Sequence, residues 1–451
     1  MKREQETPVL PVFAINLAER TDRREHIVKQ FEGREEFNLT ITEACRHPVG
    51  AVGLWNSICK IISAATASDE DVIVLCEDDH EFTAHYSKDY LFSNIAEARK
   101  EEAFILLGGI SWMSHAVHVH DNLFWTRRYS GNQFVVIFKK AYPAILNAEF
   151  KEDDVADMKF CRLFENVLLL YPFISVQKEF GYSDTTSANN KEGRVTKLFA
   201  KTIEKLAHLK NVSAYYKDLH ETNGHSMAGQ VMDNTSIPTY IINLPERKER
   251  LAHIRSQFAN RREFDVSVIE ACRHKIGAVG LYLSIRKVIQ TAMENDDDVI
   301  IICEDDHEFT PHYSREYLLE NIIEAHYQGA DYLSGGTGHV EHAMPVSQNR
   351  YWVSRCLSTQ FIVVYKKFFR KILDEPFDDF VVADNRLSEM TSNKMVLYPF
   401  VSTQRDFGYS DVTAVHNARK GLVQQMFKET AAQLEDMKHV FLKYNQHPAA
   451  V

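Results

Sequence analysis

A chain of 451 residues with a formal charge of −11 is long for one domain and too acidic for a mainly electrostatic nucleic-acid binder. Its 45% hydrophobic, 25% charged and 11% aromatic residues exclude wholesale disorder and low-complexity sequence. The same balance argues against a polybasic membrane-surface protein, and no run reaches the roughly 20 apolar residues of an integral membrane helix.

The first apolar run is broken by Pro8 and Pro11 and followed by charge, unlike a signal peptide. Residues 11–17 read as a strand. Residues 20–31 are charged with Ile27 and Phe31 at helical spacing. Residues 38–44 alternate as a strand, and 49–67 are helical with Val52, Ile58, Ile61 and Ile62 on one side. Residues 71–76 form an apolar strand that ends in carboxylates, and 104–107, 133–138 and 167–171 are further strands. Residues 193–216 read as a basic amphipathic helix expected to pack on a domain, followed by a polar linker with Gly224, Gly229 and Asn234.

The pattern then starts again. Ile15-Asn16-Leu17 recurs as Ile242-Asn243-Leu244, and CEDDHEFT at residues 76–83 recurs unchanged at 303–310. Tyr171-Pro172-Phe173 recurs as Tyr398-Pro399-Phe400, each at an offset of 227 (242 − 15, 303 − 76, 398 − 171). A period this long means a duplicated domain rather than a solenoid. The expected organisation is a domain at residues 1–190, a helical segment and linker at 191–235, a second domain at 236–415, and a C-terminal helical segment at 416–451. The copies leave room for intramolecular pairing. Seven cysteines, an odd number in apolar or helical contexts, fit a reducing cytoplasm better than a disulfide framework.

Strand–helix alternation predicts an α/β fold: two tandem Rossmann-like domains with mostly parallel sheets and trailing helices. In such sheets ligands bind beyond the carboxyl ends of strands, where Asn16 and Glu77-Asp78-Asp79 fall. The acidic cluster, copied as Glu304-Asp305-Asp306, is costly unless something positive faces it, and a hard divalent cation suits oxygen ligands. The alternative is a solvated turn.

Asn16, Leu17, Arg20 and Arg23, repeated as Asn243, Leu244, Arg247 and Arg250, put basic residues at a helix start, suited to a nucleotide's phosphates. Otherwise the arginines pair with Asp22 and Glu25 on the helix surface. Gln177 through Asp184, repeated as Gln404 through Asp411, could line a pocket or cap a turn. Asp157, kept as Asp384, could be a general base or a helix cap. Arg46 and His47, with Arg273 and His274, are candidates for a pocket wall. Cys45, His47, Cys76 and His80 have the residue types for zinc but no standard spacing.

The order of these motifs resembles glycosyltransferase family 25, of the lipopolysaccharide-biosynthesis and collagen-galactosyltransferase type. The resemblance covers most of each copy. Where the family has a Ser-His pair, this chain has Leu54-Trp55 and Leu281-Tyr282. The resemblance implies a GT-A fold, a UDP-hexose donor such as UDP-galactose, Mn²⁺ or Mg²⁺, and inversion at the anomeric carbon. It would place Glu77 near the donor ribose or metal, Asp79 on the metal, Asn16 and Arg20 on the nucleotide, and Asp157 as base. Glu304, Asp306, Asn243, Arg247 and Asp384 would repeat these roles. The expected activity is hexose transfer from a UDP-sugar, galactose or glucose, to a saccharide or glycoconjugate acceptor. The alternatives are a non-catalytic nucleotide- or carbohydrate-binding protein, one active and one degenerate copy, or a nucleotidyltransferase. The last predicts a Gly-rich phosphate loop near the first strand, where the sequence has none.

Overall fold

The computed structural model describes residues 9–182, 191–223, 235–409 and 421–445. It divides into two compact units, Met1–Asn211 and Val212–Val451. Among the described residues no helix is long and apolar enough to cross a membrane.

The first domain runs β1 (Leu10–Asn16), α1 (Thr21–Phe31), β2 (Phe37–Glu43), α2 (Gly50–Ala67), β3 (Val72–Glu77), β4 (His80–Phe82), α3 (Lys88–Lys100) and β5 (Ile105–Leu107). It continues with β6 (Trp112–Met113), β7 (Ala116–His120), β8 (Leu123–Thr126), β9 (Tyr129–Ser130), β10 (Phe134–Phe138), α4 (Tyr142–Leu146), α5 (Ala156–Leu163), β11 (Val167–Leu170), β12 (Ser175–Gln177) and α6 (Arg194–Asn223).

The second domain repeats this order. Its elements are β13 (Ile237–Asn243), α7 (Lys248–Phe258), β14 (Phe264–Glu270), α8 (Gly277–Glu294), β15 (Val299–Glu304), β16 (His307–Phe309), α9 (Arg315–Tyr327) and β17 (Tyr332–Ser334). Then come β18 (His339–Val340), β19 (Ala343–Pro345), β20 (Arg350–Val353), β21 (Cys356–Leu357), β22 (Phe361–Tyr365), α10 (Lys366–Asp374), α11 (Ala383–Met390), β23 (Lys394–Leu397), β24 (Ser402–Gln404) and α12 (Leu422–Asn445).

Each domain is built on an eight-stranded sheet, ordered β2-β1-β3-β10-β5-β11-β8-β7 and β14-β13-β15-β22-β17-β23-β20-β19. The predicted α/β, Rossmann-like architecture is therefore present twice. The sheets are mixed but mostly one-directional: β10 and β8, like β22 and β20, oppose their neighbours. Central strands read as apolar runs because both faces are covered, as in β3, where Ile73, Val74, Leu75 and Cys76 are buried. The edge strand β2 alternates.

Strand order 2-1-3 locates the site. The chain leaves β1 for β2 on one side, then crosses back to β3 on the other. Right-handed crossovers put α1 and α2 on opposite faces. The gap between the ends of β1 and β3 is the topological switch point, where α/β sheets bind ligands. Ile15 pairs with Glu77 in the parallel register, so Asn16 and the acidic cluster emerge side by side.

A two-stranded ribbon of β4 and β12 closes this end by pairing His80 with Gln177. Its fit needs glycine: a Cβ on Gly109 would overlap the Ser175 carbonyl oxygen, and one on Gly336 would overlap that of Ser402. Gly109→Ala should cost about 1–3 kcal/mol, read as a lower urea midpoint at unchanged m-value.

The trailing helices pack on their domains. Phe199, Leu206 and Leu209 of α6 are buried, and Thr202 Oγ1 donates to Ser111 O at 2.9 Å. On α12, Leu434 and Met437 are buried, and Thr430 Oγ1 donates to Gly338 O at 2.8 Å.

Candidate functional site

The first turn of α1 carries Arg23 over the end of β3. Its side chain is buried, with Nη1 at 3.2 Å from Asp78 Oδ1 and 3.3 Å from Asp79 Oδ2. Nη2 donates to Tyr182 O at 2.6 Å, and the guanidinium lies 4.7 and 4.5 Å from the Phe180 and Tyr182 ring centroids. Asn16 Nδ2 donates to Asp78 Oδ2 at 2.9 Å. Asp78 is thus buried under Arg23 and Asn16, holding α1 to β3, and Arg23 does not pair with Asp22 and Glu25 on the surface. The second domain repeats the arrangement: Arg250 contacts Asp305 at 3.0 Å, Asp306 at 3.2 Å and Tyr409 O at 2.7 Å, and Asn243 donates to Asp305 at 2.9 Å.

Arg23 contacts two of the three carboxylates of its cluster, and in the second domain Arg247 also approaches Asp305, at 3.7 Å. Burial, then repulsion from Asp79, Asp78 and Asp157, pushes the Glu77 carboxyl well above its usual range. Burial also pushes Asp79 up to about 6, against hydrogen bonding from Gln177. In the second domain burial raises Glu304 to about 8 and Asp306 to about 6. The cluster holds more negative charge than the protein neutralises.

Asp79 is nine-tenths buried, and its Oδ1 has no hydrogen-bond partner among the described residues. An acceptor-only oxygen beside surplus carboxylates fits a hard divalent cation such as Mg²⁺ or Mn²⁺, which takes one or two carboxylates and completes its shell with phosphate or water. The described residues that bring three His, Cys, Asp or Glu ligand atoms together are Glu97, Glu101 and His120, which line neither cleft.

Around the first cluster lies a cleft of about 510 Å³. It gathers Asn16, Leu17, Arg20, Arg23, Arg46, His47, Glu77, Asp78, Asp79 and Gln177, ten of the residues selected from sequence. Gly53 sets its floor, because a Cβ there would come within 2.6 Å of Cys45 O. Arg46 reaches Glu19 at 2.6 Å at the exposed rim, and His47 Nδ1 accepts from Val49 N at 3.1 Å. Gln177 Nε2 donates to Asp79 Oδ2 at 2.7 Å.

The expected span from Gln177 supplies Lys178 to the wall, while sequence reasoning missed Glu19 and Val195 there. For Lys178 the signal was present: its counterpart Arg405 keeps the positive charge. The second cleft, about 470 Å³, is lined by Leu244, Arg247, Arg273, His274, Lys275, Glu304 and Asp305, among others. Arg273 pairs with Glu246, and Gln404 Nε2 lies 3.5 Å from Asp306 Oδ1. Asp184 and Asp411 lie outside the described residues.

Asp157 and Asp384 stand in the first turns of α5 and α11 rather than in the cleft linings. Asp157 accepts from Met158 N at 2.8 Å, from the Ser130 hydroxyl and from Gly131 N, while burial raises its pKa. Asp384 accepts from Ser358 N at 3.0 Å, at a backbone φ of 101° that favours glycine. Both therefore anchor the turn before β10 or β22.

The cysteine–histidine set does not converge. The Cys76 thiol donates to Gln133 O at 3.2 Å, and His80 Nδ1 shares a proton with Ser175 Oγ at 2.7 Å. The buried His80 and Phe82 rings meet at right angles, with centroids 4.3 Å apart. Trp55, at the family's histidine position, is core: it stacks on Phe150 at 4.9 Å.

The fold and cleft define an α/β domain with an acidic cleft at its topological switch point. No family model and no curated protein matches the chain. Among solved structures, apo UDP-glucose pyrophosphorylase aligns over 43% of this chain and 82% of its own, with 8% identity and a TM-score of 0.26. A likeness that loose carries no functional argument.

Proposed function

We propose that the chain is a divalent-cation-dependent inverting glycosyltransferase that takes a nucleotide-sugar, a UDP-hexose, and passes the sugar to a saccharide or glycoconjugate acceptor. The observation that carries this reading is the cleft at the switch point, where buried carboxylates in excess of their counter-charge face a wall holding Arg20, Arg46 and Lys178. That combination suits a diphosphate and a cation together, because each neutralises what the other leaves unbalanced. Asp79 and Glu77 would hold Mn²⁺ or Mg²⁺, which when bound neutralises the leaving diphosphate. Arg20 and Lys178 would bind the phosphates, and Asn16 keeps the cluster in register with α1.

The test is release of nucleoside diphosphate from a panel of UDP- and GDP-sugars by the full chain with Mn²⁺. Asp79→Ala should lower turnover by about 100-fold or more, and Asp306→Ala reports on the second copy. Pyrophosphate or nucleoside monophosphate as product would replace this reading with nucleotidyl transfer. Binding without turnover would replace it with a non-catalytic role.

A further inference from the structure

The two acidic clusters differ at one neighbouring position. In the second domain Thr359 Oγ1 donates to Glu304 Oε1 at 2.6 Å. The first domain has Asn132 there (359 − 227), only 6% exposed, and its Oδ1 has no hydrogen-bond partner among the described residues. The amide of Gln177 is placed on Asp79 Oδ2 at 2.7 Å, leaving Oδ1 without a donor, whereas Gln404 leans towards Asp306 Oδ1. The first domain thus keeps two buried acceptor oxygens, on separate residues, that no donor among the described residues satisfies. The second covers the corresponding carboxylate with a hydroxyl donor.

We infer that the two domains have divided the cation: the first binds a divalent ion at Glu77 and Asp79, with Asn132, which holds the position from which Thr359 reaches Glu304, supplying Oδ1 as a selecting ligand, and Thr359 keeps the second from doing so. This rests on the cation-dependent reading of the first cleft. A neutral amide oxygen adds a ligand without more repulsion, which is what a crowded carboxylate pair needs. A hydroxyl that donates to Glu304 occupies one of the carboxylate lone pairs a cation would use.

The test is Mn²⁺ stoichiometry on the full chain, by calorimetry and by the electron paramagnetic resonance of free Mn²⁺, with and without UDP. One tight site per chain is expected. Asn132→Thr should weaken it at least 10-fold, and its fold is safeguarded because the second domain carries threonine there. Thr359→Asn should add a second site. Two equivalent sites in the unaltered chain, or an Asn132→Thr variant that binds Mn²⁺ unchanged, would overturn the division while leaving the cation reading intact. No Mn²⁺ binding under either condition would remove both.

Discussion

Arg23→Ala should destabilise the first domain by about 3–5 kcal/mol, the usual cost of removing one partner from a buried ion pair. For a domain of this size that is a fall in melting temperature of roughly 10 °C or more. Burial opposes the charge on Arg23, but Asp79 and Asp78 hold its pKa above the ordinary value. Without it, Asp78 and Asp79 remain buried beside Glu77 without the guanidinium that contacts both, and the loop carrying Tyr182 loses its anchor. Calorimetric scans of Arg23→Ala, Asp78→Asn and the double variant give the check. The double variant should lose less than the sum, since Asp78→Asn removes part of the charge that Arg23 was neutralising. Additive losses, or a single-variant loss under 1 kcal/mol, would show that the pair is not what holds α1 to β3. Arg250→Ala makes the same test in the second domain, where Arg247 still lies 3.7 Å from Asp305 after the change.

The second large effect is on pH and cation dependence. Asp79 and Asp306 sit at about 6 against an ordinary 3.8, and Glu304 at about 8 against 4.5. A carboxyl whose pKa is raised by folding binds its proton more tightly in the native state. Its contribution is present below the unfolded value and lost as pH climbs through the folded one. Cation-free protein should therefore lose up to a few kcal/mol between about pH 4 and 8, apart from other titrations. Mn²⁺ should reverse the first domain's share of the trend, because it competes with the protons on Asp79 and Glu77. At 100 times its dissociation constant it adds about 2.7 kcal/mol, and the gain should be larger at pH 8 than at pH 6. Melting temperatures across that range, with Mn²⁺ and with chelator, decide the matter; a Mn²⁺ effect independent of pH would mean that the ion binds elsewhere.

The main strands and helices were legible because each is a short apolar run or a helical-period stretch, and the repeat showed them twice. The β7–β8 hairpin was not: residues 110–122 differ between the copies, and its strands extend the sheet edge without a strong alternating pattern. The β4–β12 ribbon was hidden for another reason, since three-residue strands are too short for periodicity to register. That ribbon brings Gln177 to Asp79, so the site's wall could be guessed from residue types but not its hydrogen bonding. Arg23 is the instructive case. Sequence offered phosphate binding or a surface ion pair, yet the side chain is buried against Asp78, 55 residues away. Arginine and acid are kept in both copies, but only the β1–β3 register shows that they meet. Asp157 was selected as a retained carboxylate, and part of the reason for its retention is the turn it holds.

Thr202 and Thr430 make the same bond, from hydroxyl to the carbonyl of residues 111 and 338, and the helices that carry them also share Val195, Phe199 and Leu206 as Val423, Phe427 and Leu434. Two helices recruited separately would not arrive at one such contact. The ancestral gene therefore encoded a domain with its helix already docked, and a single head-to-tail copying event produced the present chain.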